Sequence, residues 1–223
     1  MDFNFFSIAL PHIKATVIEM LLSLGFALLL SFILALGMRF IPWIKTLISP
    51  CFVILQNLPM FVLAPFLLSL CGWGLVAIII PTTLMLAFPL TLSLYRGLEA
   101  TPNEYLNYYR LHGASKLKTL VCIRLPFALP HFFSGLKIAC ASSASGAIAG
   151  EWAGAQQGLG VLLQILRRQF DTEGVGLCLL LILALSLIFY MLAASLETIF
   201  YGYYGYEKTK RCHFDDHHSS SRV

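Results

Sequence analysis

Five long apolar runs, at about residues 15–37, 48–70, 75–95, 132–150 and 176–201, constrain this chain more than any other feature. Each is long enough to cross the hydrocarbon layer as a helix, which takes about 20 residues. Hydrocarbon offers no partner to an unpaired backbone N–H or C=O, so a spanning segment closes these bonds within itself. Composition agrees: 58% of the residues are hydrophobic and 12% charged, against about 25% charged in a soluble domain. The chain therefore reads as an integral membrane protein. Its 223 residues suit one helical bundle with no separate soluble domain. The start of the chain lacks the basic residues and the small-residue cleavage site of a signal peptide, so none is expected.

The runs differ in character. Pro59 and Pro65 in the second, and Pro81 and Pro89 in the third, predict kinks or local unwinding. The fourth, rich in Gly, Ala and Ser, predicts a helix that its neighbours approach closely, hence a central one. Orientation follows from basic residues. With the segment 101–130 in the cytoplasm, Arg39, Lys45, Arg96, Arg110, Lys116, Lys118, Arg124, Lys137, Lys208, Lys210, Arg211 and Arg222 fall inside. Only Lys14, Arg167 and Arg168 fall outside. That bias predicts five spans, residues 1–14 outside, and a polar tail, 203–223, in the cytoplasm.

Segment 101–130 is itself a compact amphipathic hairpin. Thr101-Pro102-Asn103-Glu104 reads as a capping box with proline at the first helical position. Leu106, Tyr109 and Arg110 recur at helical spacing, and Gly113 stands where a left-handed residue ends a short helix. Ser115 then caps a second helix in which Leu117, Leu120 and Val121 share a face. Pro126 and Pro130 are expected to break the pattern before the fourth run. Such a hairpin reads either as a docking element for a cytosolic partner or as a helix lying on lipid.

Candidate functional residues inside the spans are few. Glu19 lies in the first run, where a charge marks a functional candidate, although only about one turn from the outer boundary. Asn57, with Gln56 and Pro59, combines polar side chains and a helix break, which suits either a pathway lining or helix–helix hydrogen bonding. Glu151 ends the fourth run beside Trp152. It reads as an outer-gate or binding-protein contact, or as an interfacial residue next to an aromatic anchor. Lys137 is placed at the inner boundary, where it serves orientation. The cluster Arg167, Arg168, Asp171 and Glu173 reads as a solvated outer loop. Six scattered cysteines without a CxxC pair, and a His- and Asp-containing tail without fixed spacing, give no metal site.

The ordered motifs resemble the permease subunits of bacterial ABC importers. Gly113 is followed at the matching spacing by Ile123, Leu125 and Pro126, as in the cytoplasmic loop of that family. Leu58-Pro59, Leu63-Ala64-Pro65, Gly72-Trp73-Gly74, Phe88-Pro89, Gly113-Ala114-Ser115, Gly135-Leu136-Lys137, Gly150-Glu151-Trp152 and Gly158-Leu159-Gly160 look like one branch of it. That branch comprises the nitrate, sulfonate and taurine permeases and those for pyrimidine precursors of thiamine. Asn107-Tyr108-Tyr109 departs from it, standing where the family has Glu-Ala-Ala.

The resemblance implies an all-α, five-helix importer permease with a coupling-helix hairpin. On this reading Leu106, Tyr109, Gly113, Ala114, Leu117, Leu120, Val121 and Pro126 meet an ATPase subunit, present in two copies. Asn57, Pro59 and Glu151 belong to the translocation pathway. The implied partners are a second permease copy, forming a homodimer, and an extracytoplasmic binding protein. The chain has no GxxxxGK[ST] phosphate loop, so it is expected to hold no cofactor and to be no enzyme, ATP being bound by the partner subunit. No basic residue stands mid-span to attract an anion, which tilts the solute toward a neutral thiamine pyrimidine precursor over nitrate, sulfonate or taurine. A secondary transporter or channel would need its own intramembrane coupling groups or inverted repeats. A membrane scaffold would bind the partner without transport.

Overall fold

In the computed structural model the first apolar run belongs to a far longer helix: α1 spans Asp2–Phe40. At 1.5 Å per residue it is ~58 Å long, so it overreaches the hydrocarbon layer, and residues before 15 continue the helix. The structure describes residues 2–71, 74–113 and 115–219, without the side chains of 2–4, 42, 53, 55, 56, 60, 61, 68, 71, 77 and 202–219. Ala114, Gly72, Trp73 and the side chain of Gln56 lie outside the described residues.

The second apolar run is not one helix. It is divided into α2 (Pro42–Asn57) and α3 (Met60–Cys71) at Leu58 and Pro59. Leu58 is extended, with φ −75° and ψ 122°, because a residue before proline is pushed out of the helical region. The Pro59 carbonyl accepts from Val62 and Leu63 and so starts α3. The other prolines behave differently: Pro65 lies inside α3, and Pro81 and Pro89 inside α4 (Leu75–Glu99). Among the described residues four helices, Phe5–Phe40, Ile78–Glu99, Lys116–Gly154 and Thr172–Tyr201, are long and apolar enough to cross a membrane.

The hairpin joins α4 to the fourth apolar run. It consists of α5 (Asn103–Leu111), a turn at His112 and Gly113, and α6 (Lys116–Thr119). A single π-helical turn, Leu120–Arg124, leads into α7 (Leu125–Gly154). Contrary to expectation, neither Pro126 nor Pro130 breaks the chain. The wider π turn, closed by Leu125 N–H to Leu120 C=O, delivers the backbone to α7, and Pro126 sits in the first turn of α7, where its missing N–H costs nothing. Pro130 is carried inside the helix.

α4 packs most extensively on α7, then on α1, while α9 (Thr172–Ser219) and α8 (Leu159–Arg168) close over α7. The small-residue run explains that centrality. A Cβ on Gly135, Gly146 or Gly150 would fall 2.7–2.8 Å from Ser93, Thr82 or Ile78 of α4, so these glycines set the helix separation. Burial follows: Met20, Ala27, Leu86, Leu90, Phe133, Ala139 and Ala144 form the middle core. Ala35, Met38, Leu94, Leu98, Leu120 and Ala128 form a second core at the hairpin end. Ala9, Leu159, Leu162, Leu166 and Cys178 form a third at the opposite end. Along α9 the exposed side chains include Leu180, Leu183, Leu187, Met191, Leu192 and Ile199, an apolar surface suited to lipid.

Candidate functional site: a surface hairpin and a buried carboxyl cluster

At one end of the bundle the hairpin is rooted by some of its apolar residues and offers others outward. Leu106 and Leu120 are buried, Leu120 in the core shared with α1 and α4. Of the residues expected to meet the ATPase, these two therefore face the bundle. Leu111, Leu117 and Val121 are 85%, 69% and 54% exposed, with Tyr105 and Tyr108 beside them. Tyr109 is half-buried. Gly113 takes φ +69°, the left-handed turn expected of it, and the Ser115 hydroxyl accepts from Lys118 N–H at 3.2 Å, capping α6.

The capping box does not form. α5 begins one residue later than its sequence suggests, with Pro102 at the cap and no side-chain cap bond. Thr101 is buried with its hydroxyl unpaired. Arg124 instead fastens the hairpin, donating from Nη1 to the Leu98 carbonyl at 2.8 Å near the end of α4. Lys45 reaches the same end from α2, 3.8 Å from Glu99 and 5.0 Å from the centre of the Tyr95 ring. Hydrogen bonding to Tyr95, reinforced by the charge of Glu99, raises the pKa of Lys45.

The opposite end holds a polar cluster inside the protein. Glu151 is 2% exposed, placed beneath the surface by the last turn of α7. Its Oε1 accepts from the Thr16 hydroxyl at 2.5 Å and its Oε2 from Gly160 N–H at 2.5 Å. Thr16 in turn accepts from Leu159 N–H at 2.8 Å, and His12 Nδ1 lies 2.9–3.1 Å from the Gly158 carbonyl and amide. The carboxyl thus sits at the N-terminus of α8, where unpaired N–H groups and the helix dipole favour an acceptor. Trp152 extends the clamp by donating from Nε1 to the Gly160 carbonyl at 3.1 Å. Gly158 is required twice over: its φ is +138°, and a Cβ there would overlap the Glu151 carboxyl.

The sequence marks Glu19 and Glu151 by their place in the apolar runs and Gly158-Leu159-Gly160 by resemblance, each separately, and the structure joins them. Thr16 and His12 went unread, although Thr16 and Glu19, three apart in one helix, necessarily share a face. Asn57 and Pro59 are exposed at the α2–α3 break. Lys137 pairs with Glu197 of α9 at 2.6 Å, which ties α7 to α9. Asp171 receives Gly174 N–H at 3.0 Å and caps the start of α9, while Arg167 and Arg168 are exposed. Among the described residues no group of His, Cys, Asp or Glu is arranged to hold a metal ion.

Thr16 is the joint of the cluster, because its one hydroxyl serves α1, α7 and α8. Thr16→Val, nearly equal in volume, leaves an N–H and a carboxylate oxygen unpaired in the interior. Destabilisation of about 2–4 kcal/mol is expected, read as a lowered thermal midpoint in detergent with helix content unchanged at 20 °C.

A helical bundle of apolar segments, opened by a broken second segment and carrying an exposed two-helix elbow between its central helices, is the architecture of an importer permease. The solved structures agree on the fold. An inward-facing methionine ABC transporter, MetNI, superposes with a TM-score of 0.77 at 19% identity over 89% of this chain and 99% of that one. A chain of an amino acid ABC transporter gives 0.72 at 15% identity, over 87% and 95%. The chain belongs to the binding-protein-dependent transport system inner membrane components, whose family model matches residues 27–198.

It is 35% identical over 179 residues to a probable ABC transporter permease of Haemophilus influenzae, covering 80% of this chain and 73% of that one. It is 30% identical over 193 residues, or 86% and 77% of the two chains, to the formylaminopyrimidine transport permease ThiX of Halalkalibacterium halodurans. The taurine permease TauC of Escherichia coli is 25% identical over 79% of this chain and 65% of its own length. The chain is thus an ABC importer permease subunit, an all-α, multi-pass protein of the inner membrane.

Proposed function

We propose that this subunit forms half of the pathway by which a small pyrimidine precursor of thiamine enters the cell. A binding protein outside delivers the solute, and an ATPase subunit docks on the hairpin inside. The observation that carries the docking is the division of labour within the hairpin: Leu106 and Leu120 anchor it, while Leu111, Leu117 and Val121 project. An element rooted in the same core as α1 and α4 transmits a displacement of its outer face to those helices. Gly113 sets the angle of the elbow, and Tyr109, Ala114 and Pro126 are expected to meet the same partner.

The solute assignment is supported by the 30% identity to ThiX and by the absence of mid-span basic residues from the sequence. Two copies of the chain, each with its own ATPase, would enclose the pathway, with Asn57 and Pro59 at the helix break among its lining. The excess of basic residues on the hairpin side supports an outside amino terminus and a cytoplasmic carboxyl terminus. Cofactor chemistry then belongs to the partner, which binds ATP. Taurine is the second reading, favoured by the likeness to TauC.

The test is uptake by a reconstituted complex of permease, ATPase and binding protein encoded beside it. Accumulation of labelled formylaminopyrimidine dependent on ATP and on the binding protein, without accumulation of taurine, is the expected result. Taurine uptake alone would replace the solute, and a permease that recovers no ATPase would remove the importer reading altogether.

A further inference from the structure

At the end of the bundle opposite the hairpin, a cavity of about 430 Å³ opens between the first half of α1, the start of α4 and the link from α7 to α8. Ala15, Glu19, Leu75, Ile78, Gln156 and Gln157 contribute to its wall. The volume falls within the range of small-molecule sites, about 300–1,000 Å³. Its walls are apolar except for the carboxyl of Glu19 and the amides of the two glutamines. Glu19 is 2% exposed, and its Oε2 is buried with no hydrogen-bond partner among the described residues.

The neighbouring Glu151 makes the contrast. It lies within hydrogen-bonding reach of Glu19, and its own oxygens are taken by Thr16 and Gly160. An orphaned buried acceptor costs about 1–3 kcal/mol, so Glu19 is a group held ready for a donor. Two carboxyl groups within hydrogen-bonding reach share a proton between them, which leaves Glu19 Oε2, on the side away from Glu151, as an acceptor. The complementary molecule therefore presents N–H groups, and its remaining surface is apolar enough for Leu75 and Ile78. Sharing one proton, the pair still carries one negative charge, which repels sulfonate, nitrate and other anions.

We propose that this cavity is a solute-binding station of the permease, in which Glu19 accepts an N–H hydrogen bond from the exocyclic amino group of a small uncharged heteroaromatic ring. This deepens the function proposed above, on which the choice of solute rests. It moves the recognising carboxyl from Glu151, which α8 holds, to Glu19, which faces the cavity.

The experiment is equilibrium dialysis of the purified permease–ATPase complex, without binding protein, against labelled formylaminopyrimidine and labelled taurine. Saturable binding of formylaminopyrimidine alone is expected, weakened about tenfold or more in Glu19→Met, which keeps the length of the side chain and removes both oxygens. With its acceptor gone, wild-type affinity in Glu19→Met would show that Glu19 serves only its neighbour and would overturn the site. Leu75→Trp, a change at an exposed position on the opposite wall, is expected to weaken binding as well without lowering the thermal midpoint; unaltered binding would move the site elsewhere. Uptake of formylaminopyrimidine by a complex that shows no saturable binding would overturn the station and leave the importer reading standing. Binding sensitive to Glu19→Met in a permease that fails to transport would do the reverse.

Discussion

Gly158→Ala lowers the stability of the permease by about 3 kcal/mol or more, the largest effect expected of any single methyl group in this chain. Two penalties add at that position. A φ of +138° is reserved for glycine, and holding another residue there costs about 1–3 kcal/mol. The new Cβ would also occupy the space of the Glu151 carboxyl, and overpacking of this kind costs a further ~1–3 kcal/mol. Relief by moving Glu151 is barred, because its displacement breaks the bonds to Thr16 and Gly160. Thermal unfolding in detergent measures the loss. Gly25→Ala is the control: Gly25 lies in α1 with nothing within 4 Å of its added Cβ, so alanine there should match or exceed wild type by up to about 1 kcal/mol. Equal midpoints for the two variants would mean that the carboxyl cluster does not hold α8 in place.

The second large effect concerns coupling. The double variant Leu117→Glu, Val121→Glu is expected to fold as wild type, because both side chains are more than half exposed. It should nevertheless recover at least tenfold less ATPase and lose ATP-driven uptake. Two carboxylates placed in an apolar docking face are desolvated without partners, which weakens the contact. Leu106→Ala and Leu120→Ala, in contrast, create cavities under the hairpin and should cost about 2–5 kcal/mol of stability. The two pairs thus separate a docking face from a structural root. Unchanged ATPase recovery in the double variant would assign the exposed face to lipid.

Much of the fold is legible in the residues. Lengths of apolar sequence impose helices, a run such as Ala141-Ser142-Ser143-Ala144 marks the helix that others approach, and Gly113 and Ser115 mark the elbow. Local rules failed where two elements met. Pro126 and Pro130 look like breakers when read alone, yet a π turn upstream absorbs the first and α7 tolerates the second. Thr101 and Glu104 have the spacing of a capping box, but the burial of Thr101 beside the end of α4 shifts the helix start past it. Amphipathic spacing places Leu117, Leu120 and Val121 on one face, whereas the return of the hairpin onto the bundle buries Leu120 and leaves the other two outside.

The amino-acid sequence by itself determined that this is an all-helical membrane chain with a hairpin between its central segments, because the bilayer admits few ways to satisfy a backbone. Tertiary structure alone decided the carboxyl cluster and its cavity. Thr16 and Glu151 stand 135 positions apart, and His12 and Gly158 stand 146 apart. No periodicity links residues so distant. The start of α8 carries N–H groups that need an acceptor, and the packing of α1 against α7 brings the Glu151 carboxyl and the Thr16 hydroxyl to it. Glu19, one turn further along α1, is left facing the cavity with an oxygen unpaired.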